Sequence, residues 1–378
     1  MFLHSPIRAA VALAGLLAIA VLDAPEPAGA AVSAAAAGSA GASQVVRHTL
    51  SGDRVAIHNL VGSFTVVPTS GASVVAEVTL HGQDAGRLQV REGVVRGATT
   101  LAIVYPGNKI VLPKSAEEQG WKGWFSRWES NFWVREDGTL DGKSGEGHRV
   151  TVSDHGPGIS AAADVRILVP RGRSVAIYWG HGTGDVSGVD ANVAIDGAGV
   201  EVNARDLTGA FRVDVGSGEV RISDSAADLS VETGSGDVTL SDLRGARVSI
   251  DTGSGEIDVR GIEGQEVSLD TGSGDIRAEA IRAPRVHVDT GSGNVDVAID
   301  SDIEALGIDT GSGNVVIRMP SGVGATLQAE TGSGDIASDL PLTLKKRSDG
   351  YLAGTLGDGR GRIALETGSG DISLRRGR

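Results

Sequence analysis

An all-β chain of stacked repeats, a β-solenoid with about 19 residues per coil, is the fold class that this sequence predicts. Three observations carry that expectation. One phrase, acidic-Thr-Gly-Ser-Gly-acidic/Asn, recurs from residue 181 onward, with first glycines at Gly234, Gly253, Gly272, Gly291, Gly311, Gly332 and Gly368. Between copies, apolar and polar residues alternate, as Val248, Ile250 and Thr252 do against Ser249 and Asp251; that is the mark of a strand with one buried face. Composition agrees, since 56 of 378 residues are Gly and the aromatics are only five Trp, three Tyr and five Phe. The glycines have no three-residue period, so collagen is excluded.

Residues 1–30 read as a signal peptide. A weakly basic start (His4, Arg8) precedes the apolar run Ala9–Leu22, then Pro25, Pro27 and the small-residue pattern Ala28-Gly29-Ala30. The run is short for a membrane span, and cleavage would leave Ala31 first. Residues 31–44 hold mostly Ala, Gly and Ser and read as a flexible lead-in. The expected address is outside the cytoplasm: periplasmic, cell-surface or secreted.

Residues 45–180 carry the repeat logic in degenerate form. Asp53–Val67 reads as strand, Gly62 turn and strand; Val74–Leu80, Thr99–Tyr105, Arg149–Val152, Val165–Val169 and Ser174–Trp179 also read as strands. An insertion at 106–149 interrupts them. Within it Ser115 and Glu118 form a capping box, and Trp121, Trp124, Phe125, Trp128 and Phe132 follow at helical spacing. The spacing predicts a helix with an aromatic face. Packed, that face is a lid. Exposed, Trp121, Trp124, Phe125, Trp128 and Trp133 are candidate partner-binding residues for an envelope glycan, a protein or a membrane surface.

Residues 181–378 are the repeat region proper, and Val248–Gly264 shows one unit. Gly253-Ser254-Gly255 turns the chain, with positive φ expected at the corner glycines, and Ile257 and Val259 resume the alternation. About five buried apolar side chains at ~1.5–3 kcal/mol each cannot offset ordering the unit at ~1.5 kcal/mol per residue. Units must therefore stack. A hairpin array, with Thr252 paired to Ile257, is a second arrangement consistent with the local pattern. Near-identical corner phrases at fixed period favour coil-on-coil stacking, and the uneven apolar spacing favours a right-handed coil.

Several function classes fall away. The balance of 34 basic against 48 acidic residues, net −14, repels nucleic acid. Cysteine is absent, which removes disulfides, thiolate zinc sites and cysteine nucleophiles. Asp-Thr-Gly-Ser at Asp251, Asp270, Asp289 and Asp309 matches an aspartic-protease signature. That chemistry needs two carboxylates from separate lobes, and other copies carry Glu232, Glu330 and Glu366 instead. Gly142-Lys143-Ser144 lacks the phosphate loop's first glycine, because residue 137 is Asp, so no nucleotide is expected. No serine-hydrolase elbow or HExxH occurs.

Stacking would align acidic residues into two ladders. One holds Asp214, Glu232, Asp251, Asp270, Asp289, Asp309, Glu330 and Glu366. The other holds Glu219, Asp237, Glu256, Asp275, Asn294, Asn314, Asp335 and Asp371. Bound Ca²⁺ would offset the repulsion. The mixture of Asp, Glu and Asn fits hydrogen bonds from the Gly-Ser-Gly amides better than a fixed cage, so no metal or other cofactor is expected.

The pattern resembles the bacterial putative-adhesin family of β-strand repeat proteins, a domain of unknown function. The resemblance rests on Gly62-Ser63, Val169-Pro170-Arg171-Gly172, the TGSGD series, and Gly357-Asp358-Gly359 leading into Glu366–Leu374. It implies an exported or surface-exposed β-solenoid with adhesion as its nominal role, and some relatives are linked to envelope stress. The insertion at 106–149 departs from it. The resulting expectation is a non-enzymatic, adhesin-like or envelope-associated binding or scaffold protein. A polysaccharide-active β-helix enzyme and an envelope-stress accessory protein are the alternatives. The enzyme would need a recurring basic position, and Arg247, Arg260, Arg277, Arg282 and Arg285 read as sharing none.

Overall fold

The computed structural model describes residues 45–113, 128–140 and 147–377. The expected signal peptide and lead-in, together with Trp121, Trp124 and Phe125, lie outside the described residues.

Alternation sets which side chains meet. In the strand Ile257–Thr271, residues Ile257, Val259, Ile262, Val267, Leu269 and Thr271 are buried, while Arg260, Glu263 and Gln265 face water. This strand lies parallel on Val238–Ser254, with Val267 on Val248 and Leu269 on Ile250. The same row runs from Ile195 through Val213, Val231, Ile250, Leu269, Val288 and Ile308 to Leu365. Equivalent apolar positions thereby form one continuous core. Thr252 pairs with Thr233 and Thr271, not with Ile257, so the hairpin array is not the arrangement adopted.

The expected fold class is corrected. The described residues form an almost all-β architecture of mixed sheets, one of 23 strands and one of four, with no helix of seven residues or more. Ala85–Arg87 is a single 3-10 turn. Antiparallel pairs accompany the parallel stack at both ends. Val45–Leu50 and Ala162–Pro170 both lie antiparallel on Val74–His81, and Gln89–Val95 on Ala98–Val104. At the other end, Leu342–Ser348 and Tyr351–Leu356 form a hairpin that pairs antiparallel with Ala325–Thr331. Gln89–Val95 with Ala98–Val104, and Leu342–Ser348 with Tyr351–Leu356, are successive strands joined by short turns, and short turns make antiparallel pairs; the other antiparallel pairs join strands distant in sequence.

The predicted aromatic helix is overturned where it is described. Phe132 and Trp133 belong to the strand Glu129–Val134, antiparallel on His148–Ser153 in the four-stranded sheet, and Trp128 directly precedes it. Alternation wins over helical spacing: Phe132 and Val134 turn inward and Asn131 outward. Aromatic and β-branched residues fit such a half-buried pleated surface.

The order of layers is also unexpected. Gly361–Thr367 lies between Ala305–Thr310 and Ala325–Thr331, parallel to both. Ile372–Arg376 lies likewise between Val315–Met319 and Ile336–Ser338. The chain builds an outer layer, turns through the hairpin, and returns to fill the layer beneath. Gly368 is therefore an interior corner and Gly332 the outer one.

Candidate functional site

Each corner is shaped by the layer beneath it. Thr271 Oγ1 donates to Gly255 O at 3.2 Å, Thr290 to Gly274 O at 3.2 Å and Thr310 to Gly293 O at 3.1 Å. Thr367 and Thr331 donate in the same way to Gly313 O and Gly370 O. Trp179 stands in this row nearer the N-terminal end, and its indole Nε1 donates to Gly62 O at 2.7 Å. The expected positive φ belongs to the second glycine, such as Gly274 at +149°, and not to Gly272. The first glycine is required by close approach instead. A Cβ at Gly272 would stand 2.5 Å from Gly253 O, and Gly234, Gly253, Gly291, Gly311, Gly332 and Gly368 repeat that contact at 2.5–2.6 Å.

Stacking aligns one row of carboxylates across an outer face: Asp196, Asp214, Glu232, Asp251, Asp270, Asp289, Asp309, Glu366 and Glu330. Asp196 extends the row beyond its expected start, and the row continues into Tyr178, stacked face to face on His58 at 4.3 Å. Burial, then the charges of Asp289 and Asp251, push the Asp270 carboxyl above the ordinary range. Burial and Asp289 do the same to Asp309, and burial with Asp309 and Glu330 to Glu366.

The second row is neutralised differently. Asp275 Oδ1 accepts the Asn294 N–H at 2.7 Å, Asn294 Oδ1 accepts the Asn314 N–H at 3.1 Å, and Asn314 Oδ1 accepts the Asp371 N–H at 2.9 Å. The donor is the equivalent residue of the next layer, not the Gly-Ser-Gly turn. Asn serves as well as Asp there, because the acceptor needs only an oxygen.

Charged side chains elsewhere on the stack alternate in sign. Arg247, Glu266 and Arg285 share one row, and Arg244, Glu263 and Arg282 another, which corrects the view that the arginines share no position. Arg247 lies 3.4 Å from Glu266, Arg285 3.1 Å from Glu304, and Arg260 3.4 Å from Glu279. Such exposed pairs contribute roughly 0.2–1 kcal/mol each at most.

Of the aromatic candidates, Trp128 packs its ring 4.2 Å from that of His181, with Phe132 edge-on at 5.5 Å, and both are partly buried against the core. Burial pushes the His181 imidazole down to about 4. Trp133 pairs in register with Arg149. Among the described residues a serine, an acid and a histidine meet, in an order unlike that of a nucleophilic triad. Ser63 Oγ donates to Asp164 Oδ1 at 2.8 Å, and His81 Nε2 lies 2.7 Å from Asp164 Oδ2. The carboxylate stands between hydroxyl and imidazole, so the trio ties three strands together and is not in the order of a Ser-His-Asp triad. Among the described residues no group of three or more His, Asp or Glu side chains is arranged to hold a metal ion.

The model of the family described as Toastrack DUF4097 matches residues 134–375. No curated protein matches the chain. Solved structures also align with it, among them the following two. A putative cell adhesion protein from Clostridium sporogenes shows 10% identity over 88% of this chain and 100% of that one, with a TM-score of 0.18. A putative adhesin from Parabacteroides merdae shows 10% identity over 90% and 98%, with a TM-score of 0.27. Neither alignment carries an argument at such scores.

Proposed function

The chain belongs to the Toastrack DUF4097 family, and on that premise we propose that it is an exported, non-enzymatic, adhesin-like binding or scaffold protein of the cell envelope. One observation carries the reading. Layer after layer presents the same polar chemistry at one strand pitch across a continuous outer face, as the carboxylate row from Asp196 to Glu330 illustrates. Catalysis needs a few groups converging on one reacting atom. Repetition suits an extended partner met at many equivalent points. The leader at residues 1–30 supports an address outside the cytoplasm.

The test is fractionation of cells expressing the full chain, followed by co-sedimentation of purified protein with envelope fragments. The expected result is a protein that starts near Ala31 and pellets with envelope. Protein that starts at Met1, or stays in the supernatant, overturns the reading. Turnover of acidic polysaccharides with or without Ca²⁺ would favour the enzyme alternative.

A further inference from the structure

The second outer face of the stack holds an open cleft of about 590 Å³, away from the carboxylate row. Thr65, Asp185, Asn203 and Thr239 line it as consecutive members of one row, with Arg221 among them, and Ser223 and Ser241 line the neighbouring row. The volume lies within the range of about 300–1,000 Å³ typical of small-molecule sites. Nothing in the repeat phrase marks this place, since the residues come from the first and least regular layers.

The short polar side chains of this cleft keep their hydrogen-bonding capacity. Along the row of Arg247, Glu266 and Arg285 the charges are matched layer to layer, and the corner threonines bond to glycine carbonyls. Among the described residues, the side chains of Thr65, Asp185, Asn203, Ser223, Thr239 and Ser241 make no hydrogen bond or ion pair with one another or with other groups. Burial and the charge of Glu201 also hold the Asp185 carboxyl above its ordinary range.

Hydroxyl and amide groups both donate and accept, so a line of them complements a ligand whose groups also do both. Anions are disfavoured. Arg221 is already engaged by Glu201 and Glu219, Arg205 lies 3.5 Å from Asp206, and Asp185 adds a negative charge to a chain of net −14. Val186, Ala204 and Ile222 also border the cleft, but all three are buried, so the groups it presents outward are the short polar side chains between them. The remaining chemistry is a chain of uncharged hydroxyl groups. Resting on the envelope-binding reading, we propose that this cleft binds a neutral polysaccharide through the side chains of Thr65, Asp185, Asn203, Ser223 and Thr239.

The test is affinity electrophoresis of the full chain in native gels containing dextran, galactomannan, soluble β-1,3-glucan or polygalacturonate. Retardation by at least one neutral polymer is expected. The double variant Asp185→Ala/Asn203→Ala should weaken it about tenfold, the worth of one to two hydrogen bonds. Gly322→Ala, whose new carbon meets nothing within 4 Å, should leave it unchanged, and Thr239→Ala replaces the double variant if that does not fold. No retardation by any neutral polymer, retardation by polygalacturonate alone, or equal binding by wild type and cleft variants overturns the proposal. Co-sedimentation of the same proteins with envelope fragments separates the two failures. Wild type and cleft variants that pellet alike without neutral-glycan binding sink the cleft and leave the broader reading standing.

Discussion

Gly272→Ala isolates the contact on which the stack depends. The new Cβ would stand 2.5 Å from Gly253 O, against 3.4 Å for the inner limit of ordinary contact, so the two layers must part locally by 3.4 − 2.5 = 0.9 Å. The Gly272 N–H bonds to Thr252 O at 2.9 Å and Thr271 Oγ1 to Gly255 O at 3.2 Å across the same gap. Opened by that amount, both leave hydrogen-bond range. Overpacking of this kind costs about 1–3 kcal/mol. At about 2–4 °C per kcal/mol for a larger domain, the midpoint of thermal unfolding should fall by roughly 2–12 °C. Gly332→Ala meets the same 2.5 Å obstacle at Gly368 O, yet its layer is the outer one and can yield toward the hairpin. Its loss should be smaller. Gly322→Ala, with nothing within 4 Å of the new carbon, should melt like wild type. Circular-dichroism melts of the three variants decide the matter. Equal losses at Gly272 and Gly332, or none at Gly272, would refute the close-approach argument.

Three further outcomes follow from the rows. Ala280 has φ +56° in a second corner row whose earlier members are Gly188, Asp206, Asp224, Asp242 and Gly261, so Ala280→Gly should raise stability by about 1 kcal/mol; an unchanged or lower melting point counts against that strain. The Asp270 carboxyl is held above its unfolded value of 3.8, so its ionisation opposes folding, and its unfavourable share grows as pH rises through the shifted value. Asp270→Asn should therefore melt higher than wild type at neutral pH, with the gain shrinking as pH falls toward the ordinary carboxylate range; a pH-independent difference contradicts it. In this cysteine-free chain, Ser312→Cys with Ser369→Cys should form a disulfide, because Gly313 N–H bonds to Ser369 O at 2.9 Å. Ser312→Cys with Ser333→Cys should not, being two strand pitches or ~9.6 Å apart, beyond the limit of ~7 Å. Mass spectrometry under oxidation reads both, and the reverse pattern would mean layers stacked in chain order.

What was legible in the sequence was what repeats. Val248, Ile250 and Thr252 announced their buried face by alternation, and the constant phrase set Asp251 on Asp270. What was not legible depended on a neighbour absent from any local window. Phe132 and Trp128 sit at helical spacing, yet His148–Ser153 supplies a strand partner that a helix could not use. Gly272 looked like a turn residue needing positive φ, whereas its requirement comes from a carbonyl 19 positions earlier, 272 − 253. The cleft at Asp185 and Asn203 left no mark, because unspent hydrogen-bonding capacity shows only when the partners of every other side chain are known.

The displaced last layer follows the same logic on a larger scale. Residues 330–336 and 366–372 both read Glu-Thr-Gly-Ser-Gly-Asp-Ile, so either segment fits on Asp309 equally well by local chemistry. In chain order Gly361–Thr367 would be outermost, and the hairpin 342–356 would have to pair on its edge. A lone two-stranded hairpin is marginal in water, so either order must supply it a partner. In the observed order Ala325–Thr331 gives one edge to Gly361–Thr367 and the other to Tyr351–Leu356, so the hairpin is held. The edge left over at that end belongs to Leu342–Ser348, where Lys345, Lys346 and Arg347 are exposed and the register slips between Leu344 and Lys346. Lysines and bulges are what keep an edge strand from recruiting another chain. The observed layer order thus leaves open an edge that is already protected.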